Sequence, residues 1–250
     1  MTMVAQSQVA TPSGAVGAYD RVFYSSLAIV MALVVFVGFA PTYYLRALND
    51  SPVTVTGRTA LTPLAHVHGA IFTAWVLLFI VQTALIASHR VKVHRRFGNA
   101  GAVLAAAMVL IGSNTAIASA RAGGAPPGVD PLAFLAIPLF DMVLFPIFVG
   151  AALWHRRNRE THKRLMLLAY ISIITAGIAR WPGVLQYGPP AFFGLTCIFL
   201  LAGAIYDAAT RRRVHPAYIW GGAVFVISVP VRLMVSSTET WRRIAEYLTS

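Results

Sequence analysis

Seven long apolar runs constrain this 250-residue chain more than any other feature of its sequence. They lie at about 22–46, 63–88, 97–120, 132–154, 164–187, 191–210 and 216–236. A helix needs about 20 mostly apolar residues to cross a bilayer, and each run supplies roughly that. The runs are continuous, whereas strands of a membrane barrel are short and alternate. Composition agrees: 58% of residues are apolar, only 11% are charged, and the mean hydropathy is +0.70. A soluble domain carries roughly a quarter charged residues, and disorder requires low hydrophobicity. The expected fold is therefore all-α, a single seven-transmembrane-helix bundle over residues 20–250. Short connections make successive helices antiparallel neighbours.

Charge sets the expected orientation. The chain holds 20 Lys and Arg against eight acids, a net charge of +12. On a soluble protein that would point to nucleic acid. Here the basic residues sit in short loops, where they report topology. Arg21, the loop HRVKVHRR after run 2, HRRNRETHKR after run 4 and Arg211, Arg212 and Arg213 put thirteen on one side. Arg46, Arg58, Arg121, Arg242 and Arg243 fall on the other. The positive-inside rule then places the N-terminus in the cytoplasm and the C-terminus outside. The basic face would meet anionic lipid headgroups.

The ends read differently from the middle. Residues 1–19 lack a basic leader and are rich in Ser, Thr, Gln, Gly and Ala, as a disordered tail would be. After run 7, SSTETWRRIAEYLTS places Trp241, Ile244, Ala245 and Leu248 on one helical face. Ser236 and Glu239 could form a capping box. A short amphipathic surface helix is expected over about 237–249. The single cysteine, Cys197, excludes internal disulfides and paired-thiolate metal sites.

Charged groups inside spans are rare and mark function or pairing. Asp141 lies mid-run in PLFDMVLFP, Arg180 in IARWPG and Arg232 in VPVRLM. Counting at 1.5 Å per residue puts both arginines on the order of 10 Å below the outer boundary. Asp141, Asn114 and His68 fall at similar depth, and His68 begins a stripe with Phe72 and Trp75. Pro182 and Pro230 stand two residues from the two arginines, and proline frees backbone carbonyls. The pattern predicts a polar pocket in the outer half, built from His68, Asn114, Asp141, Arg180 and Arg232. Two Arg against one Asp leave a positive charge that a small anionic or polar ligand would balance. A purely structural ion-pair network is the competing reading.

The cytoplasmic side holds His89, His94, His155, His162 and His215. A metal or haem needs ligands from different helices at one depth, which His94 and His162 could provide. Decoration of helix ends beside anionic lipid is the simpler reading of the same residues. Runs 3, 5 and 7 open with VHRRFGNAGAV, THKRLMLLAYI and VHPAYIWGGAV, an echo that fits either a hairpin repeat or the ordinary way membrane helices begin. Nucleotide, phosphate, thiol-redox and hydrolase motifs are absent, and no catalytic residue stands out.

The segments HVHGAIFTAWVLLF, VHRRFGNAG, THKRLMLLA and VHPAYIWGG resemble an uncharacterised family of bacterial polytopic inner-membrane proteins over roughly residues 60–248. The resemblance implies a multi-pass bacterial inner-membrane protein and no particular activity. Three roles stay open: a ligand-binding or transport protein, a haem- or metal-binding redox protein, and an accessory subunit of a homo-oligomer or larger membrane complex.

Overall fold

The computed structural model describes residues 12–49 and 52–250. The chain is all-helical, and the described residues contain no strand. Among the described residues eight α-helices follow one another: α1 Pro12–Phe39, α2 Pro63–Ala87, α3 Val91–Arg121, α4 Pro131–Trp154, α5 Arg159–Ile178, α6 Gly188–Arg211, α7 Pro216–Ser236 and α8 Glu239–Thr249. Segments containing α1, α2, α3, α4, α6 and α7 are long and apolar enough to cross a membrane. Helices α1 to α7 alternate in direction. One end of the bundle carries the α1–α2 connection; the other carries most of the histidines.

Local chemistry fixes the starts. Proline occupies the first turn of α2, α4 and α7, where a missing N–H costs nothing. The side chains of Thr62, Asp130, Asn158 and Thr238 cap α2, α4, α5 and α8 by accepting free backbone N–H groups. The α7 cap is His215, whose Nδ1 accepts from Ala217 N at 3.1 Å.

Helix α5 is the centre of the bundle. It packs against α1, α4, α6 and α7, and twelve of its twenty residues are buried. By contrast α2 buries three of twenty-five. Helix α5 and the end of α1 approach so closely that a Cβ on Gly38 would lie 2.1 Å from the Gly177 carbonyl oxygen. Only glycine permits that contact. The outer faces are apolar instead: Leu33, Val103, Leu110, Ile205 and Trp220 are all exposed, as suits side chains facing lipid rather than water.

Several boundaries differ from the expected ones. Helix α1 begins at Pro12, so residues 12–19 are helical where a disordered tail was expected; residues 1–11 lie outside the described residues. It ends at Phe39 and passes into a π-helical turn, Ala40–Tyr44, at Pro41. Helix α3 starts six residues early, taking in the basic stretch VKVHRR. Helix α5 runs Arg159–Ile178 rather than 164–187. Pro182 and the positive φ of Gly183 (78°) and Gly188 (69°) prevent its continuation. The α8 cap is Thr238, not Ser236. Trp241 and Ala245 of α8 turn inward onto α3 and α4, and Arg121 donates to the carbonyl groups of Thr249 and Ser250. Ile244 and Tyr247 face outward.

Candidate functional site: a mixed cavity and a closed ion network

A cavity of about 370 Å³ lies at the α1–α2 loop end, between α1, α2, α3, α4 and α5. Residues of the α1–α2 connection, among them Thr54, Thr56, Arg58 and Thr62, also line it. Its walls are mostly aromatic and aliphatic. Three of the five residues anticipated from sequence meet there: His68 from α2, Asp141 from α4 and Arg180 from the turn after α5.

Arg180 owes its place to the early end of α5. The turn is held to α1 by Trp181, whose Nε1 donates to Val34 O at 3.1 Å. Arg180 Nη1 donates to Ala176 O at 2.5 Å, and its guanidinium lies 4.4 Å from the Phe39 ring centroid. No carboxylate reaches it among the described residues. His68 stacks on Phe72 with ring centroids 4.1 Å apart. Its Nδ1 is buried and has no hydrogen-bond partner among the described residues. The hydroxyl of Tyr170, a fully buried α5 side chain that also lines the cavity, likewise lacks a partner among them.

Asp141 and Arg232 belong together. Arg232 Nη1 donates to Asp141 Oδ1 at 2.6 Å, with the arginine fully buried. Its remaining donors meet Ser228 O at 3.2 Å and Ser228 Oγ at 2.9 Å, and Phe193 lies against its face at 4.7 Å. Arg232 stands behind Asp141 and does not border the cavity. Asn114 is not part of the group: it is exposed, and its Nδ2 donates to Leu110 O one turn back at 2.7 Å. Depth places it correctly, but its angle around α3 turns it outward. Trp75 likewise leaves the His68–Phe72 stripe and packs edge-on to Phe145.

The opposite end holds a charge network that sequence reasoning missed. Arg164 of α5 and Asp207 of α6 are both fully buried and joined by two hydrogen bonds, Nε to Oδ2 at 2.7 Å and Nη2 to Oδ1. Arg164 also donates to Glu160 Oε2 at 2.8 Å. Lys163 bridges Asp20 of α1 (2.5 Å) and Glu160 (2.7 Å). Arg211 reaches Asp20 at 2.6 Å, and Tyr206 donates to Asp20 at 2.8 Å. Three acids thus face three bases across α1, α5 and α6. Asp207 Oδ2 also accepts from His215 N at 3.1 Å. Lys163 and Arg164, expected as loop charges, are network members. Asp207 was a fourth charge inside an apolar run. The i,i+4 spacings Glu160/Arg164 and Asp207/Arg211 were its visible signal.

Of the histidines at this end, His89 and His155 are exposed. His215 is the α7 cap, and burial together with the nearby Arg164 pulls its pKa below the usual imidazole value. His94 and His162 meet, with ring centroids 6.4 Å apart. The Nδ1 of His162 is 2.7 Å from Ala152 O, while that of His94 is buried without a partner. No group of three or more His, Cys, Asp or Glu able to hold a metal ion occurs among the described residues. Comparisons with family models, curated proteins and solved structures find no match.

Proposed function

We propose that the chain is a seven-helix protein of the bacterial inner membrane that binds or transports a small anionic or polar ligand in the cavity at the α1–α2 loop end. The observation that carries this is Arg180. Among the described residues it borders the cavity without a carboxylate partner, while the one acid lining the cavity, Asp141, is already matched by Arg232. An unbalanced guanidinium in a low-dielectric wall is costly alone and binds anions strongly. The unpartnered Nδ1 of His68 adds a hydrogen-bonding atom.

The seventh span in this reading is α5. Its charged start sits in the ion network, and its apolar remainder is enclosed by the other helices, so it needs no lipid-facing apolar surface. The orientation keeps the N-terminus cytoplasmic and the C-terminus outside. Ten of the thirteen basic residues at the histidine end remain outside the network, against five at the loop end.

The test is anion titration of the purified protein, read as thermal stability. Phosphate and acetate raise the melting temperature of the wild type and leave Arg180→Gln unmoved. Equal responses in both proteins, or none in either, overturn the reading. The contact of His94 with His162 favours a second reading, a haem- or metal-binding site at the cytoplasmic end. A colourless, metal-free protein overturns that one.

A further inference from the structure

Resting on the anion-site reading, we infer that the ligand is an amphiphilic acid: a single anionic head held by Arg180 and His68, with an apolar body extending inward along α5. An inorganic anion would use only one corner of this cavity. Phe39, Phe72, Ile137, Met142, Ile173 and Phe192 line much of the rest, beside residues such as Thr115 and Thr175, and an inorganic ion leaves that apolar wall uncovered. Its size, about 370 Å³, falls within the range of roughly 300–1,000 Å³ common for organic ligands.

The direction of the body follows from α5. The bond from Arg180 Nη1 to Ala176 O folds the guanidinium back by a turn, to the level of Ala176. Tyr170 lies six residues deeper on the same helix, about 9 Å away at the helical rise. Ile173 stands halfway and lines the cavity. The charge therefore sits at one end of an apolar channel, and the unpartnered Tyr170 hydroxyl marks the other. Arg180 and Arg58 both line the cavity, and its one acid among the described residues, Asp141, is matched by Arg232, so an anionic head is favoured and a cation finds no counter-charge.

The experiment uses the full chain in lipid nanodiscs and measures equilibrium binding of acetate, hexanoate, decanoate, decyl phosphate and decanol. Affinity should rise about fourfold per methylene from acetate to hexanoate, the increment for burying a CH₂ group. Decanol should bind at least tenfold more weakly than decanoate. Arg180→Gln should abolish that difference. Ile173→Phe, which fills the channel but leaves the head site, should keep acetate binding and lose the chain-length gain. Decyl phosphate separates a phosphate head from a carboxylate head; either binding through Arg180 supports the amphiphile. Acetate or phosphate binding through Arg180 with no gain on lengthening overturns the amphiphile and leaves the anion site standing. No Arg180-dependent binding of any probe overturns both. Chain-length gain that survives unchanged in both variants is partitioning into lipid, and also overturns the proposal.

Discussion

The two ends of this bundle solve the same problem in opposite ways. At the histidine end, three acids and three bases close on one another, and the buried pair Arg164–Asp207 uses both carboxylate oxygens. At the loop-end cavity, Asp141 is matched by Arg232, Arg180 and Arg58 are left without an acid among the described residues, and His68 and Tyr170 keep polar atoms with no partner there. A membrane interior makes every unmatched polar group expensive. Closure therefore reads as architecture, tying α1, α5 and α6 together where α5 carries its charges. Incompleteness reads as a place reserved for something else. The contrast separates structural from binding charge without any motif to guide it.

The largest expected effect lies in the closed network. Removing one partner of a fully buried pair strands the other charge, at about 3–5 kcal/mol. Asp207→Ala should lower stability by that amount, measured by denaturant or thermal unfolding in detergent. The paired substitution Arg164→Met with Asp207→Leu should recover most of it. If Asp207→Ala were neutral, the network would not be the clamp its geometry implies. Arg232→Leu tests the half of the loop end that is matched. It strands Asp141, which is buried and borders the cavity, so the loss should fall in the same range, about 3–5 kcal/mol.

How much of this was legible beforehand depends on which geometric quantity a residue's role needs. Depth could be counted from the sequence, so Asp141, Arg180 and Arg232 were placed in one layer. Angle could not: the long apolar helices have weak polar stripes, and Asn114 turns out to lipid or solvent while its neighbour Thr115 lines the cavity. The Asp141–Arg232 pairing needed the packing of α4 on α7, which no local pattern encodes. Arg180 was assigned to a helix that stops two residues before it, because Pro182 and Gly183 act through backbone conformation rather than hydropathy. Asp20 stands between the expected tail and the first apolar run, and its partners lie more than 140 residues away. Cap chemistry is local, yet the one cap read from the sequence, Ser236, gave way to Thr238 two residues on.

Arg180→Gln should behave unlike either network variant. No carboxylate is stranded by its loss, and the bond it gives up is to the carbonyl of its own helix. Stability without ligand should change by about 1 kcal/mol or less, in either direction. The anion response, by contrast, should disappear. A loss as large as that of Asp207→Ala would make Arg180 another structural charge and erase the distinction between the two ends.

The smallest effect is one of pH, and it sharpens the histidine end. His215 caps α7 through Nδ1 as an acceptor, a role that only the neutral ring can fill. Its pKa in the folded protein is lowered, by burial first and then by Arg164. The unfolded chain therefore takes up the proton first. Stability is unaffected well above the ordinary imidazole value of about 6.5, and falls as pH drops through it toward the folded value. His215→Asn keeps a good cap acceptor and has nothing to titrate in that range. Its melting temperature should lose part of the wild-type decline between about pH 7 and 5. An identical pH profile in the two proteins would mean that the decline comes from other histidines at this end. The cap would then contribute its hydrogen bond but no pH dependence.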